Sequence, residues 1–330
     1  MSNRRTFVVV TAGVLLALSI DLRAQGTVKP RRIGFLSLFT RADIEAFLSQ
    51  VRPELEKLGW VDGRNIVLLE PRTTDGMNEP LPSAAAELVA QGPDLILVQT
   101  LPATRALMRA TKSIPIVMVG VGNPVELGIV ADYRRPGGNV TGSSFMANEY
   151  IAKLLQLLKE AVPHLRSVAV FVNPGNEAAA PMVRQIRVEA MAMGMQAQFI
   201  EVAGKDDFEA AYSAIRSAKT QSILLPPEAL ILSKREAIAA FAQTHALPLA
   251  VVGTSRNLPA SGLIGFGPAR DEYAQLAARY IDQILKGAKP EDLAVEQTTR
   301  FNLVINLKTA RTLGLTIPQA LLLRAGEVIQ

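Results

Sequence analysis

The chain alternates short apolar runs with longer amphipathic stretches, and this alternation constrains its fold more than any other feature. Residues 33–36 form an apolar run of strand length. Residues 43–58 repeat their apolar positions at intervals of three and four, which predicts a helix. The same order of strand and helix continues to residues 116–119. A βαβα order of this kind predicts a parallel sheet covered by helices on both faces.

The pattern starts again in the second half of the chain. Residues 136–142 are rich in Pro, Gly and Asn, which indicates a crossover linker between the halves. A second crossing at residues 263–268 leads into a helical stretch, and the tail adds a strand near residues 301–305. We therefore predict an α/β fold of two Rossmann-like lobes with parallel sheets, joined as a hinged pair by three crossings. The predicted boundaries are residues 31–142 plus 267–289 for the N-terminal lobe, and residues 143–266 plus 290–330 for the C-terminal lobe.

Residues 1–24 have the composition of a secretory signal peptide. Arg4 and Arg5 precede an apolar stretch over residues 6–20, and Ala24 offers a small residue at a cleavage point. The apolar stretch is shorter than the roughly 20 residues that a membrane-spanning helix needs. We therefore predict that residues 1–24 are removed and that the mature protein is periplasmic. An uncleaved N-terminal anchor is the alternative, and the paired arginines leave the Sec and twin-arginine export routes both open.

The composition argues against several kinds of chemistry. The sequence has no cysteine, which rules out disulfides, thiolate metal sites and cysteine nucleophiles. His164 and His245 are far apart, and each is expected to have a structural or solvated role. The sequence has neither a Gly-x-Ser-x-Gly elbow nor a Gly-rich phosphate loop. The net charge is +5 and the basic residues are scattered, which argues against nucleic acid. We predict no catalytic residue, no metal and no cofactor.

The strands of both halves end in loops of similar chemistry. Ligands of open parallel sheets bind outside the carboxyl ends of the strands. The loops there combine Gly, which lets backbone approach a ligand, with Pro, which suits the first turn of a helix. Each loop alone is better explained by the ordinary use of Pro, Asn and Gly between strands and helices, but six such ends facing one cleft favour a small-molecule site. The candidate ligand-binding residues are Ser37, Phe39, Thr40, Thr100, Leu101, Gly122, Asn123, Pro124, Asn173, Asn176, Glu228, Thr254, Ser255 and Arg256.

Several segments in sequence order resemble one known family over nearly all of residues 31–330. They are residues 58–66, 84–89, 114–125, 135–142, 157–163, 284–290 and 303–310. Together they are similar to the substrate-binding proteins of ABC transporters of the tryptophan/tyrosine type. The resemblance implies a type I periplasmic-binding fold, in which two Rossmann-like lobes joined by a three-segment hinge clamp a ligand between them.

Two departures from that family bear on the ligand. The family often has Asp at the position of Asn123, where it would face the amino group of an amino acid. It also often has aromatic residues in the stretch that corresponds to residues 254–257, where this chain has small polar residues and Arg256. An arginine fork suits a carboxylate. We therefore expect a ligand bearing a carboxylate, contacted by Arg256 from the second lobe.

The roles expected of the remaining residues divide between the lobes. Asn123 and the N–H groups that follow Pro124 are expected to hold the polar head of the ligand, together with Thr100 and Ser37. Asn173 and Asn176 are expected to approach it from the other lobe.

The predicted function is an extracytoplasmic solute-binding protein. It would capture a small organic ligand, such as an amino acid or another carboxylate, and deliver it to a membrane ABC permease. We expect a monomer that binds no nucleic acid. Two alternatives stay open at this point: an exported hydrolase or lyase that works in the same cleft, and a ligand sensor that docks on a membrane receptor.

Overall fold

The computed structural model describes residues 29–145, 147–253 and 257–330. The predicted signal peptide, residues 1–24, lies outside these ranges, and so do Thr254, Ser255 and Arg256. Within these ranges, no helix is long and apolar enough to cross a membrane.

Strands and helices alternate along most of the chain. The strands are β1 (Arg31–Ser37), β2 (Ile66–Leu68), β3 (Arg72–Thr73), β4 (Leu95–Val98), β5 (Ile116–Gly122), β6 (Val140–Phe145), β7 (Ser167–Val172), β8 (Gln196–Glu201), β9 (Ile223–Leu225), β10 (Leu249–Val252), β11 (Ile264–Pro268), β12 (Glu296–Gln297), β13 (Phe301–Asn306) and β14 (Glu327–Ile329). The helices are α1 (Arg41–Lys57), α2 (Leu81–Ala90), α3 (Leu101–Ala110), α4 (Ala147–Ala161), α5 (Ala179–Ala192), α6 (Phe208–Ser217), α7 (Ala229–Ser233), α8 (Arg235–Thr244), α9 (Arg270–Leu285), α10 (Leu307–Thr312) and α11 (Gln319–Leu322).

The strands form two sheets, which we call the first and second sheet; each sheet with the helices that cover it is a lobe. The first sheet has the order β12-β6-β5-β4-β1-β2, with β3 also beside β1, and its strand pairs are parallel. The second sheet has the order β14-β13-β11-β10-β9-β7-β8. The predicted α/β fold with two Rossmann-like lobes is confirmed.

Two neighbouring strands of the second sheet, β13 and β14, depart from the predicted parallel arrangement, because β14 runs parallel to β13. β13 runs antiparallel to β11, with Phe301 opposite Pro268. β11 leaves the second sheet at Pro268, and after α9 and β12 the chain returns to the same end of the sheet at Phe301. A strand that starts where its neighbour ends must run in the opposite direction.

The side chains of the central strands alternate between two cores, one on each face of the sheet. In β4, Leu95 and Leu97 pack against α1 and α9, whereas Ile96 and Val98 pack against α2 and α3. The second sheet is covered in the same way by α4 and α5 on one face and by α6 and α8 on the other. All four side chains of β4 are buried, as expected for a parallel strand covered on both faces.

Two segments fall in the first sheet rather than in the lobe predicted for them. β6 continues past residue 142 to Phe145, and β12, inside the predicted C-terminal segment, pairs with β6. The sequence suggested a linker that ends at Gly142, but this glycine lies within β6 at φ +130 and beside Met118 of β5. A Cβ atom there would lie 2.0 Å from the Met118 carbonyl oxygen, so the glycine permits close strand pairing instead of ending the strand.

Aromatic side chains gather where the chain passes between the lobes. The crossings lie between β6 and α4, between β11 and α9, and between β12 and β13. The ring of Tyr150 in α4 lies 5.6 Å from Phe145, 6.0 Å from Phe266 and 5.1 Å from Phe301, measured between ring centroids. Each of these phenylalanines belongs to a strand that enters or leaves a crossing, so the cluster ties the three crossings together.

Candidate functional site

A cavity of about 230 Å³ lies between the two lobes. The first lobe lines it with the loops that follow β1, β4 and β5. The second lobe lines it with the loops that follow β7, β9 and β10. These are the carboxyl ends of parallel strands, where ligands of open α/β sheets bind.

Most of the residues predicted for the site from these loops line the cavity. They are Phe39, Thr100, Leu101, Gly122, Asn123, Asn173, Asn176 and Glu228. Ser37, Thr40 and Pro124 are not part of its lining. Thr254, Ser255 and Arg256 lie outside the described residues, next to the lining residues Gly253 and Asn257. The role of each lining residue in ligand binding stays a prediction.

Ser37 and Thr40 shape the loop after β1 instead of facing the cavity. Ser37 is fully buried, and its Oγ accepts a hydrogen bond from the Phe39 N–H at 3.1 Å. The Thr40 Oγ1 accepts from the Asp43 N–H at 3.2 Å and so caps α1. Both hydroxyls satisfy local backbone groups. The sequence alone could not distinguish this structural role from a role in ligand binding.

Pro124 belongs to a tight turn. Its carbonyl oxygen accepts from the Ile129 N–H at 2.8 Å, and the Leu127 N–H donates to the Asn123 carbonyl at 3.1 Å. Several of the N–H groups that follow Pro124 are thus used within the turn. The expectation that these particular N–H groups face the ligand is therefore wrong for Leu127 and Ile129.

Two lining residues of the first lobe have unusual backbone conformations. Thr100 has φ +76 at the start of α3, and Asn123 has φ +46. A positive φ is costly for a β-branched residue, and such outliers concentrate at functional sites. The Thr100 Oγ1 is buried and has no hydrogen-bond partner among the described residues. Both residues line the cavity, and the fold must enforce their backbone conformations.

A buried amide–carboxyl pair forms the polar part of the second lobe's wall. The Asn173 Nδ2 donates to the Glu228 Oε1 at 3.1 Å, and the Ile231 N–H donates to the Glu228 Oε2 at 3.0 Å. Burial raises the pKa of Glu228, and the hydrogen bonds from Ile231 and Asn173 partly oppose this effect. The Asn173 Oδ1 accepts from the Gly175 N–H at 2.9 Å. The pair is thus held rigidly at the cavity wall.

The remaining wall is largely apolar. Phe39, Phe145 and Tyr273 contribute aromatic rings, and Leu127 and Val252 contribute aliphatic side chains. An entirely apolar cavity of about 150 Å³ accommodates benzene. The larger cavity here is therefore wide enough for a ring that bears a polar group.

Five charged or amide-bearing lining residues were not among the predicted site residues: Asp43, Gln99, Glu126, Arg235 and Asn257. Gln99 directly follows β4, so the strand-end rule that selected Thr100 could also have selected it. The Ser37 Oγ donates to its Oε1 at 3.5 Å. Asp43 lies in the first turn of α1, where an acidic residue usually stabilises the helix N-terminus. Arg235 is the first residue of α8, and no sequence signal set it apart.

The described residues contain no group of three or more His, Asp or Glu side chains that could hold a metal ion. His164 and His245 are both exposed and lie outside the lining of the cavity.

Comparisons with known proteins agree with this geometry. The family model of the ABC transporter substrate binding proteins matches residues 46–329. A tyrosine-binding protein of Clostridioides difficile is 24% identical over 287 residues, which cover 87% of this chain and 82% of that protein.

Two solved structures have the same fold. A conserved domain protein from Vibrio cholerae has a TM-score of 0.83 and 26% identity, and the match covers 91% of this chain and 100% of that one. A domain from Streptococcus pneumoniae in complex with L-Trp has a TM-score of 0.81 and 24% identity, with the same two coverages.

Proposed function

This chain belongs to the family of ABC transporter substrate binding proteins, and we propose that it binds a small solute with an apolar ring and a polar head in the cavity between its lobes. Its function is to capture a solute for an ABC transporter. The observation that supports the site most strongly is that loops from six parallel strands, three in each lobe, line one cavity.

The lining supports a ring-bearing ligand. Aromatic and aliphatic side chains form much of the wall, and neutral polar residues lie at the strand ends, at Gln99, Thr100, Asn123 and Asn173. Small-molecule sites have this composition, with few polar groups that fix the orientation of an apolar body. The relatives named as binding tyrosine or L-Trp suit the same class of ligand.

We place the ligand's polar head near Asn123 and Thr100, and its ring against Phe39 and Tyr273. A carboxylate on the ligand would be held by these neutral groups, together with Arg256. The cation in the described lining, Arg235, is already paired with Asp43 at 3.2 Å.

The family also implies a partner and a location. We propose that the protein acts as a monomer outside the cytoplasm, after removal of residues 1–24, and presents its solute to a membrane ABC permease. The proposed lobes are residues 31–145 with 270–297, and residues 147–268 with 301–330, because these segments follow the two sheets and their helices.

A thermal-shift screen tests the proposal. The mature protein is mixed with L-tryptophan, L-tyrosine, aromatic carboxylates without an amino group, aliphatic amino acids and sugars. A ligand that binds the native state raises the melting temperature by mass action. We expect aromatic carboxylates or aromatic amino acids to stabilise the protein most. Stabilisation by sugars alone would contradict the proposed solute class, and chemical conversion of a stabilising compound by the pure protein would favour an enzyme.

A further inference from the structure

An ion pair spans the cavity between the lobes. Asp43 belongs to α1 of the first lobe and Arg235 to α8 of the second, and both side chains line the cavity. The Arg235 Nη2 donates to the Asp43 Oδ1 at 3.2 Å, and its Nη1 donates to Oδ2 at 3.5 Å. The two terminal nitrogens of the guanidinium thus face the two oxygens of the carboxylate. This bidentate arrangement is the strong form of an arginine–carboxylate pair.

Each partner is also held by its own lobe. The Thr40 Oγ1 donates to the Asp43 Oδ2 at 2.6 Å, and the Arg235 Nη1 donates to the Leu232 carbonyl at 2.9 Å. These local bonds fix the two side chains before they meet. Less conformational entropy is then lost when the pair forms, so more of its interaction energy is available to hold the lobes together.

A second cross-lobe ion pair provides a comparison. Arg105 of α3 lies 3.0 Å from Glu177, in the loop after β7, but these side chains are 26% and 52% exposed. Asp43 and Arg235 are 16% and 21% exposed. Exposed pairs contribute little, whereas removal of one partner from a desolvated pair leaves a charge without compensation. The Asp43–Arg235 pair is therefore expected to stabilise the contact between the lobes more than the Arg105–Glu177 pair does.

Backbone contact near the pair shows how closely the lobes meet. Gly76, in the loop between β3 and α2, approaches α7 so closely that a Cβ atom on it would lie 2.7 Å from the Leu230 Cα. α7 leads directly into α8 and Arg235. Separation of the lobes would break both this contact and the ion pair.

We propose that Asp43 and Arg235 form a clasp that holds the lobes together and sets how slowly a bound solute leaves. The predicted effect on solute release rests on the proposed function, whereas the predicted effect on the separation of the lobes does not. In this role Arg235 acts through Asp43 and is not the group that binds the solute's carboxylate.

The absence of cysteine makes the distance between the lobes measurable. Lys57→Cys in α1 and Met191→Cys in α5, both at exposed positions, accept one spin label on each lobe. Pulsed electron paramagnetic resonance then gives the distribution of distances in the labelled protein, with and without L-tryptophan. The release rate of L-tryptophan is measured in parallel by competition.

The clasp predicts the same outcome for Asp43→Asn, Arg235→Gln and the double variant. Each should broaden the distances toward larger values in the free protein and release L-tryptophan about tenfold faster. The double variant should change the distances and the release rate no more than either single variant does, because all three variants remove the same interaction. The matched control is Glu160→Gln, which breaks a 2.7 Å ion pair with Arg324 inside the second lobe and should change neither quantity.

Three results would overturn the clasp. The first is distance distributions that none of the variants changes. The second is additive effects of the two single variants. The third is faster release for Arg235→Gln but not for Asp43→Asn, which would assign Arg235 to the solute itself. If the wild type binds neither L-tryptophan nor any other aromatic compound of the screen, the proposed solute class is wrong, and the distances in the free protein still decide whether the clasp exists.

Discussion

At the scale of single residues, Asn123 offers the cleanest test of how the polar head is recognised. Its φ of +46 makes glycine the suitable replacement, because Asn123→Gly removes the amide without straining the backbone. We expect the affinity for the solute found in the screen to fall by about 1–3 kcal/mol, or roughly 5- to 150-fold, because a polar group of the solute loses its partner. Calorimetric titration measures the change. An unchanged affinity at an unchanged melting temperature would exclude Asn123 from the site.

Glu228 gives a prediction about pH at the same scale. Burial raises its pKa above the 4.5 of an ordinary glutamate, so the native state holds a proton that the unfolded state has already released. The stabilisation that arises from protonated Glu228 is therefore complete below about pH 4.5, and it declines as the pH rises through the pKa of Glu228 in the native state. The free energy of unfolding, measured in urea at a series of pH values, should decline with rising pH more in the wild type than in Glu228→Gln. Parallel curves for the two proteins would contradict the raised pKa.

At the scale of elements, the pairing of β5 with β6 depends on one glycine. A Cβ atom on Gly142 would lie 2.0 Å from the Met118 carbonyl oxygen, and its φ of +130 disfavours any other residue. Gly142→Ala should lower the free energy of unfolding by more than about 2 kcal/mol. Gly138→Ala is the matched control, because no atom lies within 4 Å of its Cβ position and its φ is not positive. Equal stability of the two variants, measured by urea unfolding, would show that the strands adjust freely.

Elements with a strong local signal could be predicted from the sequence, and those that depend on distant partners could not. The apolar run of β4 and the spacing of α1 are local properties, and both appear as expected. β12 consists of Glu296 and Gln297, which have no strand signal of their own and pair with β6 only because the chain returns to the first lobe. α7 was not predicted either, because the five residues Ala229–Ser233 are too few to show a helical period.

At the scale of the whole molecule, the rule about strand ends located the cavity but not all of its residues. Thr100 and Asn123 lie just beyond the ends of β4 and β5, so the parallel topology of the first sheet alone brings them to one edge, and Asn173 lies at the corresponding edge of the second sheet. Asp43 and Arg235 are 192 positions apart, and their contact depends on how the two lobes face each other. No pattern within one lobe contains that information, which is why the ion pair became visible only in the structure.

We expect the solute to bind between the lobes, in contact with both. The decisive measurement is a crystal structure of the protein in complex with the most stabilising compound of the screen. We predict that the compound occupies the cavity, with its ring near Phe39 and Tyr273 and its polar head near Asn123, and with at least one contact to Asn173 of the second lobe. A compound bound outside the cavity, or in contact with one lobe alone, would contradict this expectation.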